Sequence, residues 1–347
     1  MQRHLLPLSS EFDIISQYFT FSTVGENGLG VGDDAAIFEA IPGTSNEQAP
    51  ALHAPRIVAA CDTLLSGVHF PADASGGDVA HRSLAVNLSD FAAMGAQPQW
   101  LLLSLCLPDN NQQWLQQFSA CLSALCADFD LRLIGGDTTR GPLAVTFTVL
   151  GALPAFAGVT GYLARSGASA GEDLWLSGSL GAAAAWLALH SGQLPAGTNL
   201  SIDSAALSEL RQHFYSPTPR LALGQGLLGT ASSAIDISDG LLADASHLAK
   251  SSCVSLQING DSLPCHAVLT EYASSNAVRA WMLAGGDDYE LLFTAPAEAR
   301  ERVQQVAHQA QVPVSRIGCV VADSSANRVE LRGDGWHWPE RTGYRHF

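Results

Sequence analysis

Aspartates recur along the chain in one setting, beside small or hydroxyl residues at the edge of an apolar run. They stand in Gly32-Asp33-Asp34, Cys61-Asp62-Thr63, Leu88-Ser89-Asp90, Gly135-Gly136-Asp137-Thr138-Thr139, Asp236-Ile237-Ser238-Asp239-Gly240 and Gly286-Asp287-Asp288-Tyr289-Glu290. Small neighbours let backbone and ligand approach closely, and strand edges line the ligand crevice of α/β sheets. Carboxylates gathered in such a crevice repel one another unless a cation sits between them. Mg2+ is held by a few carboxylates together with substrate phosphates, so the pattern points to metal-dependent phosphate chemistry. Taken singly, each segment also fits ordinary Asp-Gly turn chemistry. The pair Asp33-Asp34 and the set Asp236, Ser238 and Asp239 are the hardest to explain that way.

Familiar phosphate machinery is missing from the sequence. A P-loop needs two glycines ahead of its Lys-Ser/Thr, and the sole lysine, Lys250, precedes Ser251 without them. A protein-kinase scaffold needs His-Arg-Asp, whereas His81-Arg82 is followed by Ser83. No Ser-His-Asp or Cys-His arrangement stands out, and a phosphate nucleophile needs none, because its oxygen is already ionised near neutral pH. The expected step is direct transfer between two substrates, without a phosphoenzyme.

The elements that must position these groups are read from periodicity. Strands are expected at residues 35–38, 57–61, 100–107, 131–134 and 143–150, with helices at 79–94 and 114–129 and a short opening helix carrying Phe12, Ile15 and Phe19. A Gly-, Ala-, Pro- and Ser-rich stretch at 151–172 marks a domain junction. Beyond it, strands are expected at 174–177, 234–237, 254–258, 290–294 and 314–320, and helices at 182–190, 205–214, 220–228, 241–250, 276–283 and 297–309. The fold class is therefore α/β (α+β), with mixed sheets covered by helices and two domains, 1–152 and 153–347. A length of 347 residues with 47% hydrophobic content supports two packed cores.

Seventeen basic residues against thirty-three acidic ones leave a net charge of −16, which repels nucleic-acid backbones. The longest apolar stretch, Leu180 to Leu189, is half the roughly 20 residues that span a bilayer. Seven cysteines without a Cys-x-x-Cys pair argue against disulfides and structural zinc. With no apolar leader at the N-terminus, the expectation is a cytoplasmic protein with no membrane or nucleic-acid partner.

In order and spacing, the motifs Gly30-Val31-Gly32-Asp33-Asp34-Ala35-Ala36, Asp62-Thr63-Leu64, Asn87-Leu88-Ser89-Asp90-Phe91-Ala92-Ala93-Met94-Gly95, Gly135-Gly136-Asp137-Thr138-Thr139-Arg140-Gly141, Asp236-Ile237-Ser238-Asp239-Gly240, Asp287-Asp288-Tyr289-Glu290-Leu291 and the ending Gly343-Tyr344-Arg345-His346-Phe347 closely resemble those of the thiamine-monophosphate kinases. The wider superfamily includes aminoimidazole ribonucleotide synthetase, selenophosphate synthetase and a hydrogenase-maturation protein. The resemblance implies the two-domain aminoimidazole ribonucleotide synthetase-like fold. It also implies homodimers joined through the N-terminal domains, and Mg2+-dependent transfer of the ATP γ-phosphoryl group to thiamine monophosphate. By the same resemblance Asp33, Asp62, Asp90, Asp137 and Asp236 hold Mg2+, Asp239 holds a further ion, and the first four carry the catalytic step. Gly136, Asp137, Arg165, Ser238 and Phe129 fall at ATP-contacting positions, and His69, Asp287 and Tyr344 at substrate-contacting ones.

The chain departs from the family at Ala60-Cys61, where Ser-Thr is usual beside the metal, so only backbone carbonyls remain there as hard ligands. It departs also at Asp287, where glutamate is usual, and at Phe129, often a tyrosine. Another superfamily member with a different acceptor, or a cation- or nucleotide-binding regulator that never turns over, are the alternative readings.

Overall fold

The computed structural model describes residues 28–39, 56–153, 161–194, 200–272, 274–322 and 328–344, together with Ile15 and Thr198. Phe12 and Phe19 of the expected opening helix, and residues 154–160 of the expected junction, lie outside these.

Two mixed sheets carry the chain. The first is built from β1 (Ala36–Glu39), β2 (Arg56–Leu65), β3 (Gln97–Leu107), β4 (Arg132–Arg140) and β5 (Ala144–Ala152), in the order β1-β2-β5-β3-β4. All its neighbours are antiparallel except β3 and β4. Alternation along β5 sends Val145, Phe147 and Val149 inward, towards α1 (Gly76–Ala93) and α2 (Gln112–Asp128). There Phe118 of α2 stacks over Phe147. The opposite face, with Cys61, Thr63, Thr146 and Thr148, has no helix over it among the described residues.

The second sheet has the order β11-β8-β10-β6-β9-β7, from β6 (Asp173–Ser177), β7 (Ser233–Asp236), β8 (Ser255–Asn259), β9 (Leu291–Ala295), β10 (Val314–Val321) and β11 (Val329–Arg332). Its central strands are buried on both faces, which is why they read as unbroken apolar runs. Leu174, Leu176, Leu292 and Ile235 share a core with residues of α6 (Leu241–Ser252) and α7 (Asn276–Ala284). Trp175, Phe293 and Ala234 join α5 (Leu221–Leu227) and α8 (Arg300–Ala310). Two further helices, α3 (Ala182–Ser191) and α4 (Ser204–Tyr215), pack on each other.

Helix α1 belongs to both halves. Leu84, Leu88 and Phe91 lie in the core with the first sheet, while Ala92 and Ala93 lie in the second core beside Leu223 and Leu227 of α5. Its N-cap is Ser75, whose hydroxyl oxygen accepts from Asp78 N. Close approach of α5 to α1 requires glycine at 224, where a Cβ would stand 1.9 Å from the carbonyl oxygen of Ala92.

Most expected elements are present with shifted ends. Two strands run further than their apolar patterns suggest. β2 extends through Asp62 to Leu65, and β4 passes through Gly135-Gly136-Asp137 to Arg140, so Asp62 and Asp137 sit within strands rather than at strand edges. Pairing supplies the reason, because β3 continues alongside β4 from Trp100↔Arg132 to Leu107↔Arg140, and a partner strand overrides local propensity. The helix expected at 297–309 starts as a 3-10 turn, Ala297–Ala299, before α8. β11, paired in parallel with β8, is an addition. All seven cysteines are free thiols, and among the described residues no helix is long and apolar enough to cross a membrane.

Replacing Gly224 by alanine should lower the stability to urea by about 1–3 kcal/mol through overpacking against Ala92. Unchanged denaturation midpoints would show that α1 and α5 are free to separate.

Candidate active site

Four of the six acidic motifs meet where α1 lies between the two sheets. Asp33 and Asp34 enter on the turn ahead of β1, Asp62 from the α1-facing side of β2, Asp90 from the last turn of α1, and Asp236 from the end of β7. Carboxylate oxygens of Asp34, Asp90 and Asp236 all lie within 4.8 Å of one another. Ser89 donates a 2.6 Å hydrogen bond to Asp236. Asn87 accepts from Asp62 N at 3.1 Å and anchors its own amide nitrogen on the Ser83 carbonyl. Asn87 and Asp90 are three apart on one helix, so both reach the same side of β2.

Among the described residues one guanidinium faces this group. Arg165 directs Nε (3.1 Å) and Nη2 (2.6 Å) at Asp34 Oδ1, and its backbone N–H at Asp33 (3.0 Å). Charge is nevertheless unbalanced. Burial, then the neighbouring Asp62, Asp236 and Asp34, hold the Asp90 carboxyl well above the usual carboxylate range. Burial and Asp34 push Asp236 up to about 7, against the opposing Ser89 hydrogen bond. Burial also raises Asp33 and Asp34 despite Arg165. Among the described residues Asp34 Oδ2 is buried without a hydrogen-bond partner. Oxygen donors alone, crowded and short of positive charge, suit a hard divalent cation of the Mg2+ type.

A second group surrounds the turn 238–240 at the start of α6. Asp244 accepts from the N–H groups of Asp239 (3.1 Å) and Gly240 (3.0 Å). Ser238 O accepts from Asp287 N, and Asp239 O from Tyr344 N, so the fifth and sixth acidic motifs and the C-terminal segment converge here. Asp287 and Tyr289 both adopt positive φ, at 63° and 49°, a left-handed backbone that non-glycine residues rarely hold without support. Support comes from Arg82, 2% exposed. Its Nη2 meets Asp287 at 2.6 Å, Nη1 the Phe214 carbonyl at 2.7 Å and Nε the His69 carbonyl at 3.0 Å, with the guanidinium 4.0 Å from the Phe214 ring centroid. Tyr289 adds a hydroxyl bond to Asp287 at 3.0 Å.

Of the residues singled out by sequence, Asp33, Asp62, Asp90, Asp236 and Arg165 thus form one cluster. Ser238, Asp239, Asp287, Tyr344 and, through Arg82, His69 form a neighbouring one. Gly136 and Asp137 lie elsewhere. Along the row Asp62↔Phe147, Phe147↔Leu103, Leu103↔Gly136, three strand spacings separate them from Asp62, or about 14 Å. Phe129 closes α2 and packs on the core. The Cys61 side chain projects from the face of β2 opposite Asp62 and accepts from Thr148 at 3.3 Å, so its thiol is turned away from the cluster, while Ala60 is buried. Arg165 is engaged with Asp34 in this structure.

Sequence reasoning put Asp34 in a metal-favouring pair with Asp33 but gave no role to Ser89, Arg82, Asp244 or Asp288. For α1 the available signal was a helix whose apolar face carries Arg82, Asn87 and Ser89, all buried. Asp288 accepts from Gly181 N at 2.9 Å, and burial raises its carboxyl well above the ordinary range.

These shifts set a pH dependence. A carboxyl with a higher pKa folded than unfolded binds its proton more tightly in the folded state. The stability contributed by Asp236 is therefore complete below the ordinary value of 3.8 and fades as pH rises through about 7. The melting temperature of the cation-free protein should fall between about pH 5 and pH 8, and millimolar Mg2+ should reduce that fall. Asp236→Asn should flatten the cation-free profile and weaken the Mg2+ effect; an unaltered profile would contradict the assigned repulsion.

Comparison with known proteins adds lineage to this geometry. A family model described as AIR synthase related protein, N-terminal domain, matches residues 32–153. The thiamine-monophosphate kinase of Salmonella typhimurium is 39% identical over 315 residues, 90% of this chain and 91% of that protein. A crystal structure of thiamine-monophosphate kinase from Stenotrophomonas maltophilia K279a is 40% identical, covers 89% of this chain and 92% of its own, and has a TM-score of 0.72. The structure of AaThiL complexed with AMPPCP and TMP is 27% identical, covers 97% of each chain and has a TM-score of 0.77. With more than a third of the residues shared across nine-tenths of both chains, and the same arrangement of sheets, this chain belongs to the thiamine-monophosphate kinase family.

Proposed function

We propose that the protein transfers the γ-phosphoryl group of ATP to thiamine monophosphate, releasing thiamine diphosphate and ADP. The observation that carries this reading is the meeting of Asp34, Asp90 and Asp236, from the turn ahead of β1, α1 and β7, around a buried Asp34 Oδ2 that has no hydrogen-bond partner among the described residues. That donor set would hold Mg2+ through Asp33, Asp34, Asp62, Asp90 and Asp236, with Asp137 and Asp239 for further ions. When bound, Mg2+ supplies positive charge that offsets the phosphate oxygens as the phosphoryl group moves.

The chain's own groups bind and orient. Arg165 fixes the Asp33-Asp34 turn by its side chain and backbone together, and beside the nucleotide it would offer the phosphates a guanidinium. Ser238, Gly136, Asp137 and Phe129 are the other nucleotide contacts in this reading. Arg82 holds Asp287 and the His69 carbonyl in place. Asp287 then presents negative charge, and the half-exposed Tyr344 a ring, to the cationic thiazolium of the acceptor. Thiamine monophosphate brings its own ionised oxygen as nucleophile, so transfer is direct and in line, without a protein base or phosphoenzyme.

The working unit in this reading has domains 1–152 and 153–347, sits in the cytoplasm and is a homodimer. A second copy would cover the first sheet's open face and the outer edge of β4, whose residues are all exposed, Ile134 by 56%. It would also supply the site with a second Asp137. Light scattering should give a mass twice 36.5 kDa, and Ile134→Lys should shift it towards the monomer.

Incubation with Mg-ATP and thiamine monophosphate, with thiamine and no acceptor as controls, tests the activity. Thiamine diphosphate and ADP should form in equal amounts, only with the monophosphate, and EDTA should abolish both. Asp33→Asn and Asp90→Asn should each lower kcat by orders of magnitude while leaving the fold intact. Near-normal turnover in either variant would remove that residue from the site.

A further inference from the structure

Away from the acidic cluster, α4 faces the short 3-10 segment Ala267–Tyr272, and three side chains meet between them. Glu209 and His213 lie one turn apart on α4 and so share a face. His266, immediately before the 3-10 segment, is 4% exposed. Its Nε2 lies 2.9 Å from Nε2 of His213 and 3.6 Å from Oε1 of Glu209. One ligand atom from each residue falls within 4.8 Å of the other two.

The two imidazoles meet nitrogen to nitrogen, with ring planes at 74°, and do not stack. Burial lowers the pKa of His213 and takes that of His266 down to about 4, so both rings are neutral at physiological pH and each has a nitrogen lone pair to give. The cationic side chains closest in sequence to His213 are committed elsewhere, Arg211 to Asp78 and Arg220 to Glu290. Two neutral imidazoles and a carboxylate are the donor types that borderline transition metals prefer, whereas Mg2+ prefers oxygen alone. Around a tetrahedral zinc ion, ligand atoms at ordinary bond lengths stand ~3.3 Å apart. The observed 2.9 and 3.6 Å bracket that spacing.

We propose that Glu209, His213 and His266 form a transition-metal site of the Zn2+ class, with three protein ligands and a fourth position open to water. In the metal-free protein the imidazoles share one N–H···N hydrogen bond. The metal takes the place of that shared proton, which moves to Nδ1 of His266. This gives up the 3.4 Å contact from Val268 N, a weak bond by its length. Binding ties α4 to the 266–272 segment. Because Phe214, next to His213, gives its carbonyl to Arg82, the tie lies one residue from the support of Asp287. The site is independent of the acidic cluster and of the phosphoryl-transfer reading.

The test uses the full chain, stripped with a chelator that is then removed, in millimolar Mg2+ to occupy the acidic cluster. Zn2+ binding is followed by competition with a chromophoric chelator, and Co2+ binding by visible absorption. One Zn2+ per chain, Co2+ bands of tetrahedral intensity and a Zn2+-dependent rise in melting temperature are expected. The exposed positions allow His213→Ala and Glu209→Gln without disturbing the core. His213→Ala should weaken Zn2+ binding at least as much as the roughly 10- to 100-fold that loss of an outer-sphere partner costs. It should also abolish the tetrahedral bands and the thermal shift, with a smaller loss of affinity in Glu209→Gln. Absence of Zn2+ binding in the wild type, or equal affinity and spectra in His213→Ala, as zinc held by cysteines would give, overturns the proposal.

Discussion

Mutual repulsion among buried carboxylates is the constraint around which this molecule is arranged. Two unit charges about 4 Å apart interact by about 4 kcal/mol near a protein surface, a large fraction of the roughly 5–15 kcal/mol that holds a folded domain together. Here Asp33, Asp34, Asp62, Asp90 and Asp236 converge, Arg165 is the one guanidinium among the described residues that faces them, and burial together with the neighbouring carboxylates raises the pKa of Asp33, Asp90 and Asp236. Such an arrangement costs stability unless a cation joins it. In the proposed function the same charge imbalance would give the site its affinity for metal and, through metal, for phosphate.

Helix α1 makes the convergence possible because it packs against both sheets and carries polar groups on a face that an ordinary core helix would leave apolar. Three of those groups have an assigned partner. Asn87 holds the β2 backbone beside Asp62, Ser89 holds Asp236, and Arg82 reaches two carbonyls and Asp287. The sixth acidic motif divides its work in a similar way. Asp287 faces the site, Asp288 fixes Gly181, and Glu290 is buried as a structural ion pair with both Nε and Nη2 of Arg220 and a 2.5 Å bond from Ser177. Adjacent acids in one motif therefore meet quite different partners.

Much of the architecture was legible because burial writes its period into the sequence. Alternating residues in β5 and continuous apolar residues in β6 and β9 distinguish a sheet covered on one face from a sheet covered on both. The strands that outran their patterns are explained by partners distant in sequence. β4 continues through glycines and an aspartate because β3 runs beside it, and β11 exists because β8 offers an edge. No local property of these segments specifies that pairing.

The sequence by itself pointed to the chemistry: hard oxygen donors, a single lysine, no recognisable Ser-His-Asp or Cys-His arrangement and a strongly negative charge together leave metal-assisted phosphate transfer as the natural reading. Motif order carried the family. Tertiary structure alone decided which acids meet. Strand register put Gly136 about 14 Å from Asp62 across the first sheet, and the pleat turned Cys61 away from the cluster. Chain folding over more than a hundred residues brought Arg165 onto Asp34 and Arg82 onto Asp287, and packing of α4 on the following segment set His213 against His266. Residue type fixes what a side chain can bind, whereas distance and facing depend on register and packing between segments that are remote in the chain.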